Sequence, residues 1–351
     1  MMPALDGGAA IAERFAALRA ERPGLRVRDA AARLGVPEAA LVASTEGAVR
    51  LRHDWAGLLA AISRTGDVMA LTRNETVVHE RHGTYGTAEV HGKVGLIVGD
   101  EIDLRLFLAY WAHAWFVPAG RPGSPRGSVQ VFDAAGIATH KIFATEATDA
   151  EVFAAIAHEL ADDDQAVPAF IAAQQPRAPR ADAAVDGAGL REAWATLPDT
   201  HDFIRLLRRF DVTRHQAMRL AGEDFAAPIG TRAPVRALET AAGSSLPVMV
   251  FVNNPGTIQI HSGPVRRVEM RGPWFNVLDP RFNLHLRTDG LASAWLVRKP
   301  TVDGIVTSIE AFDRDDQLVL MLFGKRKPGQ AEDEAWRALA TAVTLAEPTP
   351  C

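Results

Sequence analysis

Cysteine is almost absent: the single one, Cys351, is the last of 351 residues, which excludes a disulfide framework and a thiolate metal cluster. No run of about 18 apolar residues occurs, so no helical membrane span is expected. The first thirty residues lack the apolar core of a signal peptide, and a cytoplasmic location is the default expectation. A basic surplus is also missing. The net charge is -5 and the pI is near 6.1, which disfavours a nucleic-acid binder whose whole surface is basic. Neither a dinucleotide-binding glycine fingerprint nor a Walker loop is present. The basic loop GRPGSPRG at residues 120–127 lacks the Gly-Lys-Ser/Thr ending that a phosphate cradle needs, and it reads as a hairpin loop.

What the chain does contain is an internal repeat. Adding 180 to a residue number often returns the same residue type: Val68, Met69 and Asn74 recur as Val248, Met249 and Asn254, and Leu104 and Leu106 as Leu284 and Leu286. Trp115, Val117, Ser128, Phe132, Asp133 and Phe143 recur as Trp295, Val297, Ser308, Phe312, Asp313 and Phe323. A tandem duplication explains this, and two similar units side by side create a cleft, so the informative residues are those at which the copies differ. Arg105 aligns with His285, and His79 with Gln259.

The spacing predicts helices over 9–20 and 27–44, then short β-branched runs (VMALT, TVVHE, KVGLIV, IDLRLFL, WAHAWFV, SVQVFD, THKIF) as antiparallel strands, and a helix over 150–160. Helices over 190–222, strands over 247–323 and a helix over 332–345 repeat the order. Helices set before and after a strand meander indicate an α+β fold, with each repeat an antiparallel sheet flanked by helices. The expected division is residues 1–173, a linker rich in Pro, Ala and Gly over 174–189, and residues 190–351. The 27–44 stretch has a helix-turn-helix cadence around Gly35, but a similar pair near Thr213–Ala221 makes a structural role the better reading.

Candidate chemistry centres on His201, in WATLPDTHDFIRLLRRF. Pro198 suits a first helical position, and Asp199 and Asp202 complement a helix start. At about 100° per residue, Phe203, Leu206, Leu207 and Phe210 share one face while His201 lies on the other, beside Arg205 and Arg208. Such a histidine is either a solvated surface residue or a neutral imidazole free to ligate a metal or haem iron. Alternation in EIDLRLF sets Ile102, Leu104 and Leu106 on one sheet face and Asp103, Arg105 and Phe107 on the other. Arg105 then either meets an anionic or oxygen-bearing ligand or pairs with Asp103 or Glu101. His79 and His82 fall on opposite faces of a strand, the wrong arrangement for a zinc-protease helix. No partner is identifiable for His113, His140 or His158.

TRNETVVHERHGTY at 72–85, DEIDLRLF at 100–107 and the later runs WATLPDTHDF, TRHQAMRL, FNLHL, VRKPTVDGIVTSIEAF and LFGKR together resemble the bacterial haem-degrading and haem-trafficking proteins of the HemS/ChuS/HmuS type, over residues 15–345. The resemblance implies a cytoplasmic protein of iron acquisition that binds haem after uptake and opens the ring to release iron, using an external electron donor. The alternative it leaves is a haem carrier delivering to a separate oxygenase. Implied partners are haem and either a haem-import ABC transporter or a downstream haem oxygenase, with neither nucleic acid nor membrane insertion. Carried over by residue, the proximal iron ligand falls on His201, the distal arginine on Arg105 and an alternative histidine on His79. Arg214, Lys299 and Arg326 fall on the propionate-holding positions and Phe251 on an aromatic wall. Phe323 stands where many members carry tyrosine, so a hydroxyl contact of theirs is missing here.

Overall fold

Asn74 and Asn254, one of the repeated pairs, show why the duplication is readable in the backbone. In a computed structural model, which describes residues 8–175, 178–326 and 329–345, each asparagine closes a tight turn through its own side chain. Asn74 Oδ1 accepts from the amides of Thr76 and Val77, and Asn254 Oδ1 from those of Gly256 and Thr257, all at 3.0 Å. This is the Asx turn for which asparagine is suited.

The chain forms two units. The first runs to Thr72 and from Glu80 to Gln175, and includes Asn254–Gln259; the second takes Arg73–His79, the stretch ending at Asn253, and the residues from Ile260 on. The main break, after Gln175, lies within the stretch expected as linker, and two short segments are exchanged: each unit contains the Asx turn encoded in the other half of the sequence. Their side-chain amides anchor them accordingly. Asn254 Nδ2 donates to the Thr139 carbonyl at 2.8 Å in the first unit, and Asn74 Nδ2 to the carbonyls of Val319 at 2.8 Å and Asn253 at 3.1 Å in the second.

The first unit holds α1 (Gly8–Glu21), α2 (Val27–Leu34), α3 (Glu38–Ala43), β1 (Val49–Leu51), α4 (Trp55–Ser63), β2 (Gly66–Arg73), most of β3 (Val77–Thr84), β4 (Glu89–His91), β5 (Val94–Ile97), β6 (Asp103–Phe107), β7 (His113–Val117), β8 (Ser128–Phe132), β9 (Ala138–Thr148) and α5 (Ala150–Glu159). Strands β1-β7-β8-β9-β2 lie side by side, and β6-β5-β4 form a second antiparallel run. Gly35, at φ +67°, lets the chain turn from α2 into α3. That pair buries Ala30, Ala31, Ala40 and Leu41 against Ile11 and Phe15 of α1, and Ala39 and Val42 against Trp115, Val117 and Phe132. A helix pair packed on both sides is scaffold.

His140 is the main departure from expectation in this unit. Instead of lacking partners, it is 1% exposed and hydrogen-bonded at both ring nitrogens, to Thr72 Oγ1 at 2.9 Å and Tyr85 Oη at 2.5 Å. Burial lowers its pKa from 6.5 to about 3 and pushes the Tyr85 phenol well above 10. The repeat equivalents of Thr72, Tyr85 and His140 are Val252, Val265 and Leu320, so one copy has an apolar core where the other has a satisfied polar network. The pH consequence follows from the depressed pKa. Below about pH 6.5 the unfolded chain takes a proton that folded His140 refuses, so stability falls by about 1.4 kcal/mol per unit as pH drops toward the folded value. His140→Leu should cost about 1–3 kcal/mol near pH 7, because Tyr85 and Thr72 lose a buried partner. That deficit should shrink by about 2 kcal/mol near pH 5, where only the wild type is penalised for its neutral imidazole. Urea unfolding at the two pH values tests this, and a deficit that is the same at both would rule the linkage out.

The second unit contains α6 (Gly187–Ala195), α7 (Phe203–Phe210), α8 (Arg214–Ala221), β10 (Ala226–Ile229), α9 (Ala233–Ser244), β11 (Val248–Asn254), most of β12 (Thr257–Gly263), β13 (Val268–Arg271), β14 (Trp274–Asp279), β15 (Phe282–Arg287), β16 (Ser293–Thr301), β17 (Gly304–Phe312), β18 (Leu318–Gly324) and α10 (Glu334–Leu345). Helix α6 starts inside the stretch expected to be linker, because Asp186 Oδ1 caps it by accepting from Gly189 N at 2.9 Å. Strands β10-β16-β17-β18-β11 are adjacent, as are β15-β14-β13. One face of the larger run packs on α9 and α10 through Leu238, Ala241, Ile309, Leu322 and Trp336. The other packs on α6, α7 and α8 through Trp194, Phe203, Leu207, Met218, Trp295 and Val297. Helices on both faces bury β17 from Val306 on, polar residues included.

Candidate functional site

Strand register gathers the residues on the α6–α8 face. Phe251 pairs with Met321, Met321 with Glu310 and Glu310 with Trp295; the next row is Met249, Phe323, Ser308 and Val297. Lys299 follows Val297 on the same face of β16, since side chains alternate along a strand. Phe251 and Phe323 meet edge to face with centroids 5.1 Å apart, and both are partly exposed. They form a partly exposed aromatic surface.

Glu310, fully buried, is the residue that sequence reading missed. Its Oε1 accepts from Lys299 Nζ at 2.6 Å and Ser308 Oγ at 3.1 Å, and its Oε2 from Arg214 Nη1 at 2.8 Å. Burial alone would raise this carboxyl, but the Arg214 and Lys299 charges overcome that and hold its pKa at about 2. Lys299 is pushed below the ordinary amine range by the same burial, opposed by Glu310. Both cations also lie over the Phe203 ring, Lys299 Nζ 4.6 Å and Arg214 Cζ 4.9 Å from its centroid. Two cations against one carboxylate leave a single positive charge. The Lys299 side chain is 3% exposed and paired with Glu310, whereas that of Arg214 is 19% exposed.

Two residues before Phe203 comes His201. The expected α-helix from Pro198 does not form there; residues Thr200–Asp202 make a 3-10 turn, and α7 begins at Phe203. The cause is Asp199, whose Oδ1 accepts from the His201 amide at 2.7 Å and from His201 Nδ1 at 2.5 Å. Those hydrogen bonds, the backbone one first, hold the Asp199 carboxyl below its usual range. The apolar face of α7 is as expected, with Phe203, Leu206 and Leu207 buried, and Arg205 pairs with Asp202 at 2.6 Å. His201 is 78% exposed at the side chain.

The remaining expected site residues separate. Arg105 lies in the first unit on β6, where Ile102, Leu104 and Leu106 are buried and Asp103, Arg105 and Phe107 are half-exposed, and its guanidinium pairs with Asp103. Burial raises the Asp103 carboxyl and Arg105 opposes the rise. His79 belongs to the second unit and is fully buried, its ring centroid 4.9 Å from that of Phe282. With no exposed surface it could meet an external ligand only if the packing moved. Arg326 follows β18, with Nη1 3.2 Å from the Gln330 carbonyl and 3.9 Å from Asp303 Oδ2. His285, aligned with Arg105, is tied to Asn276 Oδ1 at 2.7 Å. Among the described residues no cluster of three His, Cys, Asp or Glu could hold a metal ion, and no helix is long and apolar enough to cross a membrane.

Known proteins resemble this chain over most of its length. The haemin-degrading HemS.ChuX domain family matches residues 35–160 and again 211–343. The chain belongs to the HemS family. Its double match is the duplication seen in the sequence. A curated relative, the haemin transport protein HmuS of Yersinia pestis, is 36% identical over 332 residues, covering 94% of this chain and 96% of that protein. The crystal structure of holo-PhuS, a haem-binding protein from Pseudomonas aeruginosa, superimposes with a TM-score of 0.92 at 49% identity, covering 95% of this chain and 98% of that one. ChuS, described as an E. coli haem oxygenase, gives 0.84 at 33% identity over 95% and 99%.

Proposed function

We propose that this protein binds haem through His201 and opens the porphyrin ring to release iron, with electrons from an external donor. The observation that carries the reading is His201 itself: an exposed imidazole whose Nδ1 is engaged by Asp199, so that Nε2 is the nitrogen left to ligate. The surroundings fit the ligand. Phe251 and Phe323 offer apolar surface to a planar ring, and the surplus positive charge at Arg214 suits a propionate. Lys299 acts indirectly, by sharing Glu310 with Arg214, and Arg326 is the candidate for the second propionate. Iron supplies the redox chemistry of ring opening; the chain's residues bind and orient the substrate.

Arg105 is proposed as the distal residue on the strength of the resemblance. Always protonated, it cannot act as a general acid and would instead donate hydrogen bonds to oxygen-bearing groups. Arg105→Ala should leave haem affinity close to wild type while slowing degradation by about 100-fold, the scale of removing one such donor. A fall in affinity with unchanged turnover per bound haem would make Arg105 an anchor instead. The wider reading is tested by loading the protein with haem, adding reductant in the presence of catalase and following the Soret band. Loss of the band with a linear tetrapyrrole and free iron supports degradation. A band that persists until an acceptor protein is added supports the carrier, to which the transport name of the HmuS relative lends weight. A haem-import ABC transporter would be the upstream partner in either case.

A further inference from the structure

We propose that Asp199 is a positioning residue for haem ligation, an inference that rests on the assignment of His201 as the axial ligand. A helix cap requires only one hydrogen bond, from backbone N–H to side-chain oxygen. Asp199 Oδ1 makes that bond to the His201 amide at 2.7 Å and also takes the ring Nδ1 of the same residue at 2.5 Å, with Thr200 Oγ1 at 3.4 Å. The backbone bond fixes where the oxygen sits, and the ring bond then fixes how the imidazole turns. The neighbouring acid, Asp202, is engaged with Arg205 and makes no such contact. Nδ1–H therefore points to Asp199 and the lone pair on Nε2 points away from it.

Two consequences follow. The ring is held in the Nδ1–H tautomer, the minor form of a free neutral histidine side chain, before iron arrives. A carboxylate behind a ligating histidine also makes it a stronger donor, and such outer partners are typically worth 10–100-fold in metal affinity. In solvent the exposed pair contributes little; the effect develops when bound haem excludes water from it.

The test uses the full chain. In ligand-free protein, nitrogen NMR of His201 at a pH where the ring is neutral should show the Nδ1–H tautomer in the wild type and a shift toward Nε2–H in Asp199→Ala. In haem-loaded protein, Asp199→Asn retains an acceptor for both N–H groups without the charge. It should keep histidine ligation, lower the ferrous iron–imidazole stretching frequency and raise the midpoint potential. Asp199→Ala should lose about 10–100-fold in haem affinity. Asp199→Ser, which still caps the turn, should resemble Asp199→Ala in affinity and potential, showing that helix capping alone is insufficient. An Nε2–H tautomer in the wild type, or variants that share the wild-type stretch and potential, would reduce Asp199 to a cap and overturn the proposal. Failure of the underlying reading has a separate signature: His201→Ala would then keep the wild-type haem spectrum.

Discussion

His201→Ala is expected to lower haem affinity by about 100-fold or more, at least the upper end of the cost of losing an outer-shell partner at a metal site, and to change the iron spectrum, while leaving the melting temperature near that of the wild type. The reason is its setting. The side chain is 78% exposed and outside the apolar face of α7, so truncation removes a ligand without opening a cavity. His79→Ala should do the reverse. That ring is fully buried beside Phe282, and its removal should cost about 2–4 kcal/mol in stability through the void it leaves, while the spectrum of bound haem stays unchanged. Thermal unfolding and a haem titration on the two variants separate the roles. If His79→Ala altered the haem spectrum, the buried histidine would have to reach the ligand through a rearrangement, and if His201→Ala did not, the axial assignment would be wrong.

That contrast also shows where the chain could be read directly and where it could not. Strict alternation placed Arg105 correctly on the half-exposed face of β6, because a strand with one buried face obeys a period of two. The duplication was visible because Asn74 and Asn254 each perform a turn that asparagine suits, and such positions hold their residue type across copies. The exchange of those turns between units was not visible: nothing in a local pattern says which sheet a turn will join. For His201 the apolar spacing predicts a helix from Pro198, but Asp199 captures the His201 amide and a 3-10 turn comes first. Apolar periodicity is blind to that side-chain bond. The buried carboxylate was missed for another reason. In VTSIEAF, Ser308 and Glu310 alternate with Ile309 and Ala311 and look like a solvated face, yet α6–α8 cover that face, and Glu310 meets Lys299 from the neighbouring strand, 11 residues away in sequence. A lysine and a glutamate at matching parity on consecutive strands were the available signal.

Glu310→Ala should be the most destabilising single change in the second unit, at about 3–5 kcal/mol, because it strands a buried cation. Lys299, 2% exposed, would lose its counter-charge and Arg214 its partner. Removing both members of the inner pair is a different matter. In Lys299→Met/Glu310→Met the two chains keep roughly their volume and the one cation left without its carboxylate is Arg214, the more exposed of the two, so the loss should be smaller than in Glu310→Ala, at about 1–2 kcal/mol. The double variant also decides which cation meets the ligand. It retains Arg214, the more exposed of the two and now free of Glu310, so haem affinity should stay within a few-fold of wild type. Arg214→Met should instead lower affinity by about 10–100-fold, the equivalent of the 1.5–3 kcal/mol that a charged hydrogen bond contributes. Equal losses in the two variants would mean that Lys299 leaves Glu310 to hold the propionate itself, and the buried triad would then be a store of positive charge that opens when haem arrives.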